Sequence, residues 1–130
     1  MSAVQPINEQ TVIGLSELVT IQKGRKSKEV TARIDTGATK GSIDMAIVEE
    51  LGLGPIKGEK TVRNAHGSAK RQIIDIKFTI AGKTFTEEFT VANREHLRFP
   101  LLIGRNVLRK GFVIDPNRRI KKTDSAEHKQ

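Results

Sequence analysis

The chain is 130 residues long, 36% hydrophobic and 29% charged, which suits one globular domain with its own core rather than a disordered chain or two full domains. Five Phe with no Tyr or Trp make that core mainly aliphatic, and the absence of Cys excludes disulfides, thiolate catalysis and Cys-ligated zinc together. The 23 Lys and Arg outweigh 15 Asp and Glu for a net charge of +8, which attracts polyanions without choosing among nucleic acid, acidic lipid and acidic peptide. No basic-then-apolar leader and no run of about 18 apolar residues occurs, so the expectation is a soluble, cytoplasmic protein with no membrane partner. The charge leaves nucleic acid open, although no zinc-finger spacing or aromatic stacking motif points to it.

In chain order, residues 1–10 are polar and aperiodic and are read as a flexible N-terminus. A single domain is expected over 11–116. "LSELVTIQ" and "KEVTARID" flank a loop containing Gly24, and Val30, Ala32 and Ile34 alternate with Glu29, Thr31 and Arg33, so a hairpin is predicted whose second strand ends at Asp35. Ser42 is read as the cap of a short helix carrying Ile43, Ala46, Ile47 and Leu51 on one face, stopped by Gly52 and Gly54-Pro55. "KTVRNAHGSAKRQIIDIKFTIAG" predicts two strands around a turn at Ala65 to Ser68, with Gln72, Ile74, Ile76, Phe78 and Ile80 sharing a face. A turn at Ala81-Gly82 and a strand bearing Phe85, Phe89 and Val91 continue the meander. "REHLRFP" then links to a buried strand at "LLIG", one or two helical turns at "RNVLRK" and a last strand at "GFVID". Residues 117–130 are read as a flexible basic tail.

Chemistry concentrates in "ARIDTGATKGS". A strand delivers the Asp35 carboxylate to a turn in which Thr36 bonds locally and Gly37 permits close backbone approach. Taken alone, the triplet is equally an Asx turn closing a loop. "FPLLIGRNVL" places bulky aliphatics before Gly104 and a helix start.

Together these two stretches, with a Gly-tipped hairpin between them, resemble the retropepsin-like aspartic proteases over roughly residues 12–115. Asp35, Thr36, Gly37 and Ala38 match the catalytic turn of that clan, and Leu102, Ile103, Gly104, Arg105 and Asn106 match its second motif, the structural support of the site. "ARIDTGA", "NAHGSAKRQII", "ANREHLRFPLLIGRNVL" and "FVIDP" are most similar to the bacterial and archaeal family labelled ATP-dependent zinc protease, associated with ATP-grasp glutamate ligases. The resemblance implies a mainly β fold, a closed or partly open β-barrel with one or two short helices. It also implies an aspartic-type endopeptidase with no cofactor and no metal. Neither a phosphate-binding Gly-x-x-x-x-Gly-Lys-Ser/Thr loop nor a His-Glu-x-x-His pair is present, and His66, His96 and His128 are scattered.

One such lobe supplies one carboxylate where two must share a proton. The expected partner is therefore a second copy of the chain, Asp35 meeting Asp35 in a homodimer. The resemblance makes the Ala65 to Ser68 tip, with His66 and Gly67, a flap over substrate. Viral members place an acid two residues after the turn Gly to pair with the Arg of the second motif; here that position is Thr39. Ala38, Lys40, His66, Gly67, Arg71, Arg94 and Arg98 are the expected substrate-binding residues, and the cations among them favour an acidic, glutamate-rich peptide or protein. Two other readings stand beside this one: a non-catalytic module of the same fold holding an acidic protein or RNA, and a metallopeptidase.

Overall fold

The computed structural model describes residues 10–120. The first strand, β1 (Thr11–Ile13), is followed by the hairpin β2 (Ser16–Lys23) and β3 (Lys26–Ile34), then by β4 (Gly41–Asp44) and helix α1 (Met45–Leu51). A meander of β5 (Ile56–Asn64), β6 (Gly67–Ile80) and β7 (Lys83–Ala92) comes next, and β8 (Leu101–Ile103), the one-turn helix α2 (Arg105–Leu108) and β9 (Phe112–Ile114) close the order. Among the described residues no helix is long and apolar enough to cross a membrane.

The strand order β2-β3-β8-β4-β7-β6 returns to β2 through a β2–β6 pairing, so six strands form a closed barrel with β5 attached outside the ring. Closure depends on the length of β6. Its Lys77–Ile80 end pairs with β2, while its Gly67–Ile74 end pairs with β5 along the same edge. Because β7 pairs only from Ile73 onward, residues 67–72 run beyond the barrel with β5 alone. A two-stranded arm therefore projects from a rigid ring.

Alternation explains the core. Ile74, Ile76, Phe78 and Ile80 of β6 point inward at no more than 1% exposure and meet Val19, Ile21, Phe89, Leu101 and Ile103. Gln72, on the same parity, lies on the arm and is exposed, because no second layer reaches it there. Phe78 and Phe89 pack edge to face, centroids 5.4 Å apart at 89°, the arrangement that ring quadrupoles favour. The Ala81-Gly82 turn, with φ of 50° and 79°, is the twisted two-residue type that joins antiparallel strands.

Two local readings need correcting. Ser42 and Ile43 are strand, not helix: residues 41–44 are inserted between β7 and β8 and buried at all four positions, a pattern with no alternation to read. The helix starts at Met45, and Ala46 is exposed while Ile47 and Leu51 face the core. Gly52 ends it in the left-handed conformation, φ 65°, as expected of a glycine there. The strand β1 is an addition, too short for periodicity to show; it pairs in parallel with β9. Of the two terminal segments, residues 1–9 and 121–130 lie outside the described residues. Residues 117 and 118 turn back on the domain, where the Arg118 Nε donates to Glu17 Oε2 at 3.3 Å.

Removing the Phe89 ring opens space against Phe78 and over Gly41, where that ring leaves no room for a side chain. Phe89→Ala is expected to cost ~3–5 kcal/mol of stability, measured as a shift of the denaturation midpoint with a two-state transition retained.

Candidate active site

Asp35 follows β3 directly, and its place is fixed by backbone before side chain. Its N–H donates to Ile103 O at 2.9 Å, continuing the parallel β3–β8 ladder by one residue. The chain then turns: the Gly37 N–H donates to Asp35 Oδ1 at 2.8 Å and the Ala38 N–H to Asp35 O at 3.3 Å. The turn is therefore of the Asx kind. One carboxylate oxygen is committed to the loop and the other is available. Asp35 is half-buried, while Thr36 and Gly37 are exposed.

The second motif crosses this loop. A Cβ on Gly104 would lie 2.6 Å from Lys40 C, 2.8 Å from Lys40 O and 3.0 Å from Ala38 O, so the two backbones meet at a distance only glycine allows. Beyond the crossing, the Arg105 and Asn106 N–H groups donate to Ala38 O and Thr39 O at 2.8 and 3.1 Å. The first N–H groups of α2, which have no partner within the helix, are thereby satisfied by the loop.

Arg105 also reaches the loop with its side chain. Nη1 donates to Thr36 O at 2.9 Å and Nη2 to Thr39 Oγ1 at 3.3 Å. With Thr39 in place of an acid, the arginine still braces the turn, through neutral acceptors. Asn106 Nδ2 donates to Glu88 O at 3.1 Å, tying the same helix to β7.

Beside the loop lies a concavity of about 250 Å³ lined by Ala38, Thr39, Lys40, Ser42, Lys60, Val62, Arg71, Thr90, Arg94 and Leu102. It shares Arg94 and Leu102 with a larger one of about 520 Å³ that adds Arg33, Leu97, Arg98 and Phe99. The two form one trough over Leu102, and no Asp or Glu lines either part. Cations are brought in from five segments: Lys40 from the loop, Lys60 and Arg71 as cross-strand partners on β5 and β6, Arg33 from β3, and Arg94 and Arg98 from the 93–100 link. Arg33, Lys60, Ser42 and Thr90 are not among the residues the sequence led us to expect at the site; Ser42 was read only as a helix cap. Arg33 was hidden as an outward position of an alternating strand, and Lys60 shows only through its register with Arg71.

His66 and Gly67 sit at the exposed tip of the arm and line neither concavity. The structure therefore brings Ala38, Lys40, Arg71, Arg94 and Arg98 together, and leaves these two apart. Among the described residues no group of three or more His, Asp and Glu is placed to hold a metal ion.

Two of the cations are individually fixed. Arg94 donates Nε to Phe99 O at 2.9 Å and its backbone N–H to Asp44 Oδ1 at 3.0 Å. Burial first, then the nearby Arg71 and Arg33, pull the Arg94 guanidinium below its ordinary value, while Asp44 and Asp35 act against them. Lys40 is bound to Glu88 Oε1 at 2.8 Å, and the other Glu88 oxygen meets Lys57 Nζ at 2.9 Å. Hydrogen bonds from Lys40 and then Lys57 lower the Glu88 carboxyl from 4.5 to about 2. Glu88 thus connects the loop after Asp35 to the base of the projecting arm.

Gly104→Ala forces a methyl against backbone atoms that cannot yield without moving the loop. It is expected to cost at least ~1–3 kcal/mol and to shift the amide resonances of residues 35–40. Since the folded Glu88 carboxyl titrates below its unfolded value, its contribution to stability is complete above pH 4.5 and fades as pH falls toward 2. The stability gap between the native chain and Glu88→Gln should therefore narrow across that window in acid denaturation curves.

A family model described as RimB-like, the retropepsin-like aspartic endopeptidase RimB, matches residues 47–124. That span includes Arg71, Arg94, Arg98 and the whole second motif; the Asp35 turn precedes it. No curated protein matches the chain. Among solved structures, a Legionella pneumophila protein of unknown function, DUF785, aligns with a TM-score of 0.61 at 20% identity, covering 85% of this chain and 96% of that one. This second likeness is one of fold. With more than half its length matched, the chain belongs to the RimB-like family of retropepsin-like aspartic endopeptidases.

Proposed function

We propose that the protein is an aspartic-type endopeptidase that hydrolyses peptide bonds in acidic, glutamate-rich segments, working as a homodimer in which two Asp35 carboxylates face each other. The observation that carries this reading is the crossing of the Asp35 loop by Gly104, with the Asp35 N–H on Ile103 O and one carboxylate oxygen left available beside an open trough. The exposed Thr36 and Gly37 leave the turn accessible to a second chain.

In this mechanism one carboxylate takes a proton from water as the water oxygen bonds to the scissile carbonyl carbon, and the other, protonated, donates to the carbonyl oxygen. As the tetrahedral intermediate collapses, the first carboxyl passes its proton to the amine nitrogen, the second carboxylate takes one back from a hydroxyl of the intermediate, and the C–N bond breaks. The carboxylates act as one titrating pair. Neither metal nor nucleotide enters these steps.

The acidic substrate class is supported by the trough. Lys60, Arg71, Arg94 and Arg98 form no ion pair among the described residues, so their charge is available to carboxylates of an extended peptide. Lys40 contributes less, because Glu88 already engages it. A cytoplasmic setting accords with this role, since no residue depends on an oxidising environment.

Asp35→Asn keeps the hydrogen bond to Gly37 and removes the titrating group. Cleavage of a glutamate-rich peptide is expected to fall by at least ~10²-fold with the thermal midpoint nearly unchanged. Turnover at the native rate in that variant overturns the mechanism, and binding without cleavage in the native chain favours the non-catalytic module.

A further inference from the structure

The trough does not end at Arg98. A further groove of about 490 Å³ shares Leu15, Ser16 and Arg98 with it and is walled by Pro116, Asn117, Arg118, Arg119 and Ile120. That wall is held in place. The Asp115 N–H donates to Ile13 O at 2.8 Å, the Asn117 N–H to Asp115 Oδ1 at 2.9 Å and the Arg118 N–H to Asp115 O at 3.0 Å. Beneath it, Gly14 leaves room for the Arg118 carbonyl, which would lie 2.6 Å from any Cβ there. Glu17, 7% exposed, receives both the Gly14 N–H at 2.7 Å and Arg118 Nε at 3.3 Å.

The charges in the groove are unequal in consequence. Arg118 is neutralised by Glu17, whereas Arg98 and Arg119 enter no ion pair among the described residues, and Arg98 lies against the Phe99 ring, 5.3 Å from its centroid. No Asp or Glu lines the groove. An arginine placed over an aromatic ring keeps N–H groups for a planar anion.

We infer that the Arg98–Arg119 groove is a distal subsite that binds a carboxylate side chain of the same extended peptide, away from the bond to be cut, so that affinity depends on how far acidic sequence continues. The inference rests on the acidic-peptide reading of the trough but not on catalysis. A peptide strand advances ~3.3 Å per residue, so only a peptide long enough to span both compartments gains from the groove. A short one fills the trough and gains nothing.

The test is binding, measured by fluorescence anisotropy on the full chain carrying Asp35→Asn, with labelled oligo-glutamate peptides of increasing length. Affinity is expected to rise with length, and adding Arg119→Gln, at a residue that lines the groove and not the trough, should weaken the longest peptide about fivefold while leaving the shortest within twofold. Removing the same net charge at the far end of the β2–β3 hairpin, by Arg25→Gln, should act equally on all lengths. An equal loss for short and long peptides in the Arg119 variant, or no loss for the long one, overturns the subsite. If the native chain proves unable to cut any of these peptides while the length dependence persists, the peptidase reading fails and the groove stands.

Discussion

At Gly104 two pieces of backbone, distant in sequence, come so close that a single methyl group has nowhere to go. Much of the candidate site follows from this contact. The close approach lets β8 continue its ladder to the Asp35 N–H on one side, and lets the first amides of α2 reach the carbonyls of Ala38 and Thr39 on the other. Each hydrogen bond is modest by itself, about 0.5–1.5 kcal/mol net. Their effect lies in being made together, so that the carboxylate, the loop and the helix are positioned by one crossing rather than by side-chain packing. Arg105 then acts as a brace on a geometry the backbone has already set.

The closed ring supplies the rigidity that this crossing needs, and the unequal pairing of β6 supplies the reach. A strand of 14 residues is longer than the barrel requires; the surplus, paired with β5 alone, overhangs the trough and presents Lys60 and Arg71 to it. Glu88 joins these two parts. By accepting Lys40 and Lys57 at once, it ties the loop that follows Asp35 to the root of the arm, so the arm's inclination and the loop's position are mechanically related.

Where chemistry imposed unusual residues, the sequence was readable. Asp35-Thr36-Gly37 and Leu102-Ile103-Gly104-Arg105-Asn106 occur where a turn and a close approach demand them, and the meander followed from strict alternation at Ile74, Ile76, Phe78 and Ile80. Where burial was two-sided, the sequence misled. Gly41–Asp44 shows no alternation because both of its faces are covered, with α1 and α2 packed beside it, and it is buried throughout, so Ile43 was credited to the helical spacing of Ile47. The trough was legible in part: cations near the motifs were visible, but Arg33 and Lys60 join it through register and curvature, which no local pattern encodes. Three residues at a strand end, such as β1, are too few for any period to register.

The distribution of acids explains why a chain with 15 Asp and Glu can present a trough lined by none. Those nearest the trough are already engaged elsewhere. Glu88 is held by Lys40 and Lys57, Asp75 by Lys57, Glu17 by the Gly14 amide and Arg118, and Asp44 by the Arg94 amide. The ion pairs on Glu88, Asp75 and Glu17 offset those charges, while Asp44 keeps its charge beside Arg94. Those ion pairs help set the sign of the trough, and a low-dielectric cleft with charges of one sign concentrates an oppositely charged chain along its length. Two carboxylates beside the trough enter no ion pair among the described residues: Asp44, buried and bound by the Arg94 amide, and Asp35, half-buried at the start of the exposed loop with one oxygen bound by the Gly37 amide. Of these two, only Asp35 lies where the chain leaves the barrel for the loop that Gly104 crosses.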